Sequence, residues 1–210
     1  MRKLVVGSFL SLDGVMQGPG GPAEDREGGF EQGGWVVPLI NEQFLQIMAD
    51  LTSRAGALLL GRKTYDTFAA SWPLTPADDP IGSVLNSIPK YVASRTLKTA
   101  AWNNSAIISD DVAEAVAKLK EQDGGEIHVS GSGELIQTLL KHDLIDEYNL
   151  FIFPVLVGSG KRLFGDGTIP RGLKLVNSTT LSNGVTFSTY ERVGELETGA
   201  YGPEIEQGAS

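Results

Sequence analysis

No cysteine occurs among the 210 residues, and the only histidines are His128 and His142. Disulfides, thiolate metal centres and a cysteine nucleophile are therefore excluded. A histidine-based metal site has too few ligands, so no metal is expected. Apolar runs are short. None approaches the roughly 18 to 20 residues that span a bilayer, and no basic stripe marks a membrane-surface segment. Basic residues are scarce as well: 17 Lys and Arg stand against 26 Asp and Glu, for a formal charge of −9 and a pI near 4.7. Long nucleic acids, whose binding rests on neutralising phosphates, are poor partners for such a chain. The amino-terminal segment carries two basic residues and a short apolar stretch. Gly7, Ser8, Ser11 and Asp13 interrupt it, and no small-residue cleavage pattern follows. It does not read as a signal peptide, and a cytoplasmic location is expected.

What is present is an ordinary globular composition, 41% hydrophobic and 20% charged. The acid excess is uneven. Four of the 26 acids and none of the 17 bases fall in residues 195–210, so residues 1–194 carry −5. Residues 1–194 read as one domain and 195–210 as a loose acidic tail. Lys3 to Leu12 reads as a buried strand. Asp13 to Gly34 holds eight glycines and two prolines; it is either a surface loop or a flap over a ligand site. Asn41 can cap a helix to about Ser53, with Phe44, Met48 and Leu51 on one apolar face. Ala57 to Leu60 is a strand and Arg62 to Ala70 a helix. Ser71 to Pro89 reads as loop with one helical turn near Val84. Strands follow at Lys90 to Ser94 and Ala106 to Ser109. A helix capped by Ser109 or Asp110 runs to about Gln122. Then come a strand (Glu126 to Ser130), a helix to about His142 and a long strand (Asp146 to Val157). Leu173 to Leu181 and Val185 to Val193 form a hairpin around Ser182-Asn183-Gly184, since Asn-Gly favours a tight turn. Strands alternating with helices, then a closing hairpin, predict an α/β fold: a three-layer α/β/α sandwich on a mostly parallel twisted sheet.

Three strand ends suit an anionic ligand. Gly131, Ser132 and Gly133 precede a helix that begins with Glu134 and Leu135. Glycines admit a phosphate close to the backbone, and the helix N-terminus attracts it. A plain tight turn is the alternative, and the stretch misses the Rossmann glycine pattern because Ile136 stands at the last glycine. Gly61, Arg62, Lys63 and Thr64 put two cations at another helix N-terminus, where they oppose the dipole unless an anion lies between them; solvated surface charge is the alternative. Ser94 and Arg95 follow a third strand, where the Arg can fork onto a phosphate monoester or be an ordinary loop residue.

The order of these motifs resembles the dihydrofolate-reductase-like superfamily, in the branch containing the C-terminal reductase domain of the riboflavin-biosynthesis protein RibD. The resemblance is carried by Ser11 to Met16 (SLDGVM), Leu58 to Phe68 (LLLGRKTYDTF), Ser94 to Leu97 (SRTL) and Ile127 to Phe164. It implies NADPH as cofactor and hydride transfer to a C=N or C=O bond of a small, often heterocyclic, substrate. It also implies a homodimer. On this likeness Gly61, Arg62, Lys63 and Thr64 hold phosphates on the adenosine side. Ser94 and Arg95 take the 2′-phosphate. Gly131, Ser132, Gly133, Glu134 and Leu135 line the pyrophosphate through backbone N–H groups. Gly7 and Ser8 approach the nicotinamide, with the loop of Asp13, Gly14 and Met16 closing over it. Asp13 is the candidate catalytic residue, as polar substrate contact or proton handler; an Asp-Gly turn is the alternative. Ser11, Met16, Trp35, Phe153 and Pro154 are candidate substrate contacts, though Trp35 and Phe153 also suit a core. A folate enzyme carries a carboxylate on its first helix; Glu42 and Asp50 are near, and neither is assigned. The competing class is a non-catalytic NADPH-binding or sensory protein on the same fold.

Overall fold

The computed structural model describes residues 1–201. An eight-stranded sheet has the order β4-β3-β2-β5-β1-β6-β8-β7. Its strands are β1 (Leu4–Ser11), β2 (Ala55–Gly61), β3 (Lys90–Ala93), β4 (Ser105–Ile108), β5 (Glu126–Ser130), β6 (Glu147–Phe153), β7 (Gly172–Thr180) and β8 (Thr186–Gly194). The helices are α1 (Glu42–Ser53), α2 (Arg62–Ser71), α3 (Pro80–Ser87), α4 (Val112–Glu121) and α5 (Gly133–Lys141). The first six strands pair in parallel, whereas β8 runs antiparallel to both β6 and β7. This is the expected three-layer arrangement with its closing hairpin. Among the described residues, no helix is long and apolar enough to cross a membrane.

Alternation along β1 divides the core. Leu4, Val6 and Leu10 pack with Val116 and Leu119 of α4 and with Leu135, Ile136 and Leu139 of α5. On the opposite face, Phe9 meets Phe44 of α1 at 5.4 Å and Phe151 at 5.6 Å between ring centroids. Leu58, Leu60 and Val92 cover that face farther out, with Tyr65 of α2 and Leu85 of α3. A one-residue slip in β1 would exchange these two sets, so the register is strongly specified.

Local chemistry sets most element ends. Asn41 caps α1 by accepting the Phe44 N–H at 2.9 Å, a contact worth about 1 kcal/mol. Three of the differences from the sequence expectation have a direct local cause. The segment read as loop with one turn contains α3, a two-turn helix whose start is Asp79-Pro80. Asp79 accepts the N–H groups of Ile81 and Gly82, and proline is well suited to the first helical position. Helix α4 is capped by Asp111, which accepts the Glu114 N–H at 3.0 Å, and not by Ser109 or Asp110. Strand β6 stops at Phe153 because Pro154 has no N–H to continue a ladder. Residues 195–201 are exposed and form neither helix nor strand; the rest of the predicted tail lies outside the described residues.

Lys90 is the largest fully buried side chain. Its ammonium lies 4.4 Å from the Trp102 ring centroid and donates to the Asn86 carbonyl at 3.0 Å. Burial pushes its pKa down to about 8 from the usual 10.5. The unfolded chain therefore binds more protons than the folded one between those two values, and stability rises with pH across that window. Wild type is expected to gain on the order of 3 kcal/mol relative to Lys90→Met between pH 8 and 10.5. Denaturant titrations at stepped pH check this; parallel curves for the two proteins would refute it.

Candidate active site

The carboxyl ends of β1, β2, β3 and β5 open on one cavity of about 520 Å³, the customary ligand edge of an open parallel sheet. Three turns converge there. Gly61 to Thr64 leaves β2 into α2, Ser94 and Arg95 leave β3, and Gly131 to Leu135 leaves β5 into α5. Gly7, Ser8 and Phe9 of β1 form the floor, and Met16 to Pro19, with Glu24 and Asp25, form the opposite wall. The first-turn N–H groups of α2 and α5 have no partner within their own helices, so each helix turns the positive end of its dipole to this edge.

Each turn has its own restraint. Gly131 has φ +67°, a left-handed conformation that glycine adopts without strain. The Gly133 N–H donates to the Gly131 carbonyl at 3.1 Å, closing a tight turn centred on Ser132. That N–H, expected to face a pyrophosphate, is thus engaged within the turn. Ser94 Oγ accepts the N–H groups of Thr96 and Leu97 at 3.3 and 3.0 Å and so shapes the loop that carries Arg95. Arg62 pairs with Asp66 at 2.6 Å, and Lys63 with Glu27 at 2.7 Å. Arg95 is exposed and has no carboxylate partner among the described residues. Ser8 lines the cavity, and its buried Oγ has no hydrogen-bond partner among the described residues. An orphaned hydroxyl is costly unless a ligand atom meets it. A cradle with unpaired N–H groups, a free guanidinium and a waiting hydroxyl fits an anionic dinucleotide.

The glycine-rich segment is an ordered flap. Gln17, only 4% exposed, donates to the Glu27 carbonyl at 2.9 Å and accepts the Lys161 N–H at 3.0 Å. Gly33 lies so close to Gly21 that a Cβ there would stand 2.5 Å from the Gly21 carbonyl oxygen. Lys161 binds Asp25 at 2.7 Å and also Glu27, which holds Lys63 in turn. This ion-pair chain straps the flap from α2 to the segment after β6. Burial works to lower the Lys161 pKa, but the two carboxylates more than offset it and the net shift is upward. The lysines hold the Glu27 pKa down. Sequence reasoning missed Gln17, Asp25 and Glu27; the one available hint was their place in a loop too long to be structureless.

Of the sequence-predicted residues, Gly7, Ser8, Met16 and every phosphate-side candidate from Gly61 to Leu135 line the cavity. Asp13, Gly14, Ser11, Trp35, Phe153 and Pro154 lie outside it. Phe153 is fully buried and meets Trp35 edge-on at 5.6 Å, while the Trp35 indole N–H donates to the Gln17 carbonyl. These two serve as core. Pro154 is exposed. Ser11 Oγ donates to Asp13 at 2.6 Å and accepts the Val15 N–H, and Gly14 donates back to the Ser11 carbonyl, so all three belong to one tight turn. Asp13 also accepts the N–H groups of Val157 and Gly158 at 3.1 and 2.8 Å. The Ser11 hydroxyl, followed by those two N–H groups, draws its pKa down to about 2. A carboxylate so held is a clamp between two loops and carries no proton to give near neutrality.

The sequence profile of the RibD C-terminal domain matches residues 2–187. The Bacillus subtilis (strain 168) protein YyaP is 31% identical over 192 residues, which cover 90% of this chain and 94% of that one. A solved structure of a riboflavin biosynthesis protein, designated putative, from Shewanella sp. PV-4 superposes with a TM-score of 0.66 at 25% identity, covering 92% of this chain and 99% of that one. Dihydrofolate reductase from Enterococcus faecalis, solved with NADP(H), shares the fold at a TM-score of 0.57 and 14% identity, covering 90% and 96%.

The Asp13 clamp predicts that Asp13→Ala accelerates amide hydrogen exchange at Val157 and Gly158 and leaves β2 and β5 protected. In wild type the clamp holds above the usual carboxylate pKa of 3.8 and is lost as pH falls through about 2. Unchanged protection at both amides in Asp13→Ala would count against the clamp.

Proposed function

The chain belongs to the RibD C-terminal domain family, and on that premise we propose that it is an NADPH-dependent reductase of a small heterocyclic substrate. One observation carries the reading: turns after β2, β3 and β5 meet around a single cavity with β1 as its floor. NADPH, when bound, supplies the hydride for a C=N or C=O bond. The chain's own residues bind, orient and exclude water. Arg95, with no internal partner, is placed for a charge-assisted contact to a 2′-phosphate. The α2 and α5 N-termini favour bridging phosphates, and Ser8 Oγ offers a hydrogen bond at the β1 floor. The flap, strapped by Lys161 and Lys63, shields the floor from water.

A riboflavin-pathway type of substrate, an aminopyrimidine, is favoured over a folate. Glu42 and Asp50 of α1 are exposed and neither lines the cavity, so α1 presents no carboxylate to a pteridine. The second reading is a protein that binds NADPH without turnover. It is supported by the pairing of Asp25, a carboxylate of the cavity wall, with Lys161. We further propose a cytoplasmic homodimer formed along β7, an edge strand that exposes Leu173, Leu175 and Val176; such edges invite pairing.

Arg95→Ala is expected to weaken NADPH by about 1 to 3 kcal/mol and NADH far less, read by nicotinamide fluorescence titration. Equal loss for both cofactors would remove Arg95 from the 2′-phosphate. Oxidation of NADPH over a panel of aminopyrimidines, dihydrofolate and small carbonyls separates the two readings: binding without oxidation on every member supports the non-catalytic one. Sedimentation is expected to give a dimer that Leu175→Lys dissociates; a concentration-independent wild-type monomer would reject the dimer.

A further inference from the structure

Strands β2 and β5 are neighbours, so the turns that follow them leave the sheet side by side. Ser132 stands between them with 5% of its surface exposed. Its Oγ accepts the Gly61 N–H at 2.9 Å. Its single proton is directed between Thr64 Oγ1 at 3.0 Å and the Ser130 carbonyl at 3.2 Å. The backbones are in near contact as well. A Cβ built on Gly61 would lie 3.4 Å from Ser132 Cβ, and one on Gly131 would lie 3.5 Å from Thr64 Cγ2. Around Ser132 itself the backbone closes the tight turn onto Gly131. One hydroxyl thus joins the entry to α2 with the entry to α5.

We propose that Ser132 is a positioning residue whose side chain sets the spacing of the two phosphate-facing helix entries. This assigns the side chain a role beyond the backbone contact expected of that position. Neither turn alone fixes the distance between the α2 and α5 N-termini. A ligand bridged by a pyrophosphate must meet both, and a shift of one entry spoils a contact that the other cannot replace. The half-buried Gly61 N–H makes the clasp costly to lose, because removing its acceptor leaves a donor unsatisfied within the protein. Thr64 takes part through its hydroxyl, so the two side chains act as one unit.

The proposal rests on the reading of the cavity as an NADPH site. Two ligands separate them: NADPH, which has a pyrophosphate bridge, and adenosine 2′,5′-bisphosphate, which has none but keeps the 2′-phosphate. Ser132→Ala is expected to raise the Kd of NADPH about tenfold and that of the bisphosphate less than about twofold. Ser132→Thr, which keeps the hydroxyl, restores NADPH to within about threefold. Thr64→Val gives the same ligand pattern from the opposite turn and stands in if Ser132→Ala does not fold. The two losses are non-additive in the double variant. Equal loss for both ligands, or no loss for either, overturns the positioning role while leaving the NADPH reading intact. Failure of wild type to bind either ligand overturns both.

Discussion

Strand β5 hydrogen-bonds to β1 along one edge and to β2 along the other, all three in parallel. Parallel strands point the same way, so their carboxyl ends lie toward one edge of the sheet. Their backbones there must turn out into helices, because a parallel partner can be reached only by a crossover. Everything in the cavity follows from that geometry. The entries to α2 and α5 are neighbours because β2 and β5 are. The β1 floor lies beside them because β1 is the next strand. Register is held by burial on both faces: Leu4, Val6 and Leu10 face α4 and α5, while Phe9 faces α1.

Charge is organised locally on this frame. The chain is strongly acidic, yet the cavity edge gathers Arg62, Lys63, Arg95 and Lys161. Three of these are matched by carboxylates: Asp66, Glu27 and Asp25. Such exposed pairs contribute little stability, and their value here is placement. Glu27 relieves the unfavourable position of Lys63 at the α2 N-terminus and fastens the flap to Lys161. Arg95 alone of the four has no carboxylate partner among the described residues. Ser8 and Lys90 are polar groups held inside the protein. One is a buried hydroxyl with no partner among the described residues, and the other a buried ammonium that donates to the Asn86 carbonyl and rests on Trp102. Neither is explained by packing efficiency alone.

Much of this was legible in the residues. The Asn41 cap, the apolar face of α1, the Asn183-Gly184 hairpin and the strand-glycine-helix units all rest on local rules that tertiary context did not override. The turns that line the cavity were legible for the same reason, since a turn at the end of a buried strand is a local signature. Helix α3 was obscured by its prolines, although Asp79-Pro80 is a good helix start once the cap is recognised. Of the substrate-side candidates only Met16 lines the cavity. Trp35 and Phe153 are aromatic near the expected mouth, but an aromatic residue satisfies a core as readily as a pocket wall. Asp13 follows β1 and points across to the segment after β6, 144 positions away in sequence at Val157, a pairing that no local pattern encodes.

The sequence by itself determined the class of fold, the family and which turns line the cavity. Those properties depend on hydrophobic period, on glycine and capping chemistry, and on motif order, all of which operate over a few residues. The tertiary structure alone decided which charges are spent and which are free. Glu27 claims Lys63, Asp25 and Glu27 claim Lys161, and Ser132 claims Gly61 and Thr64, across 36 to 136 positions of chain. An ion pair or a buried hydroxyl contact is short-ranged in space and indifferent to distance along the chain, so only the folded arrangement selects its partner.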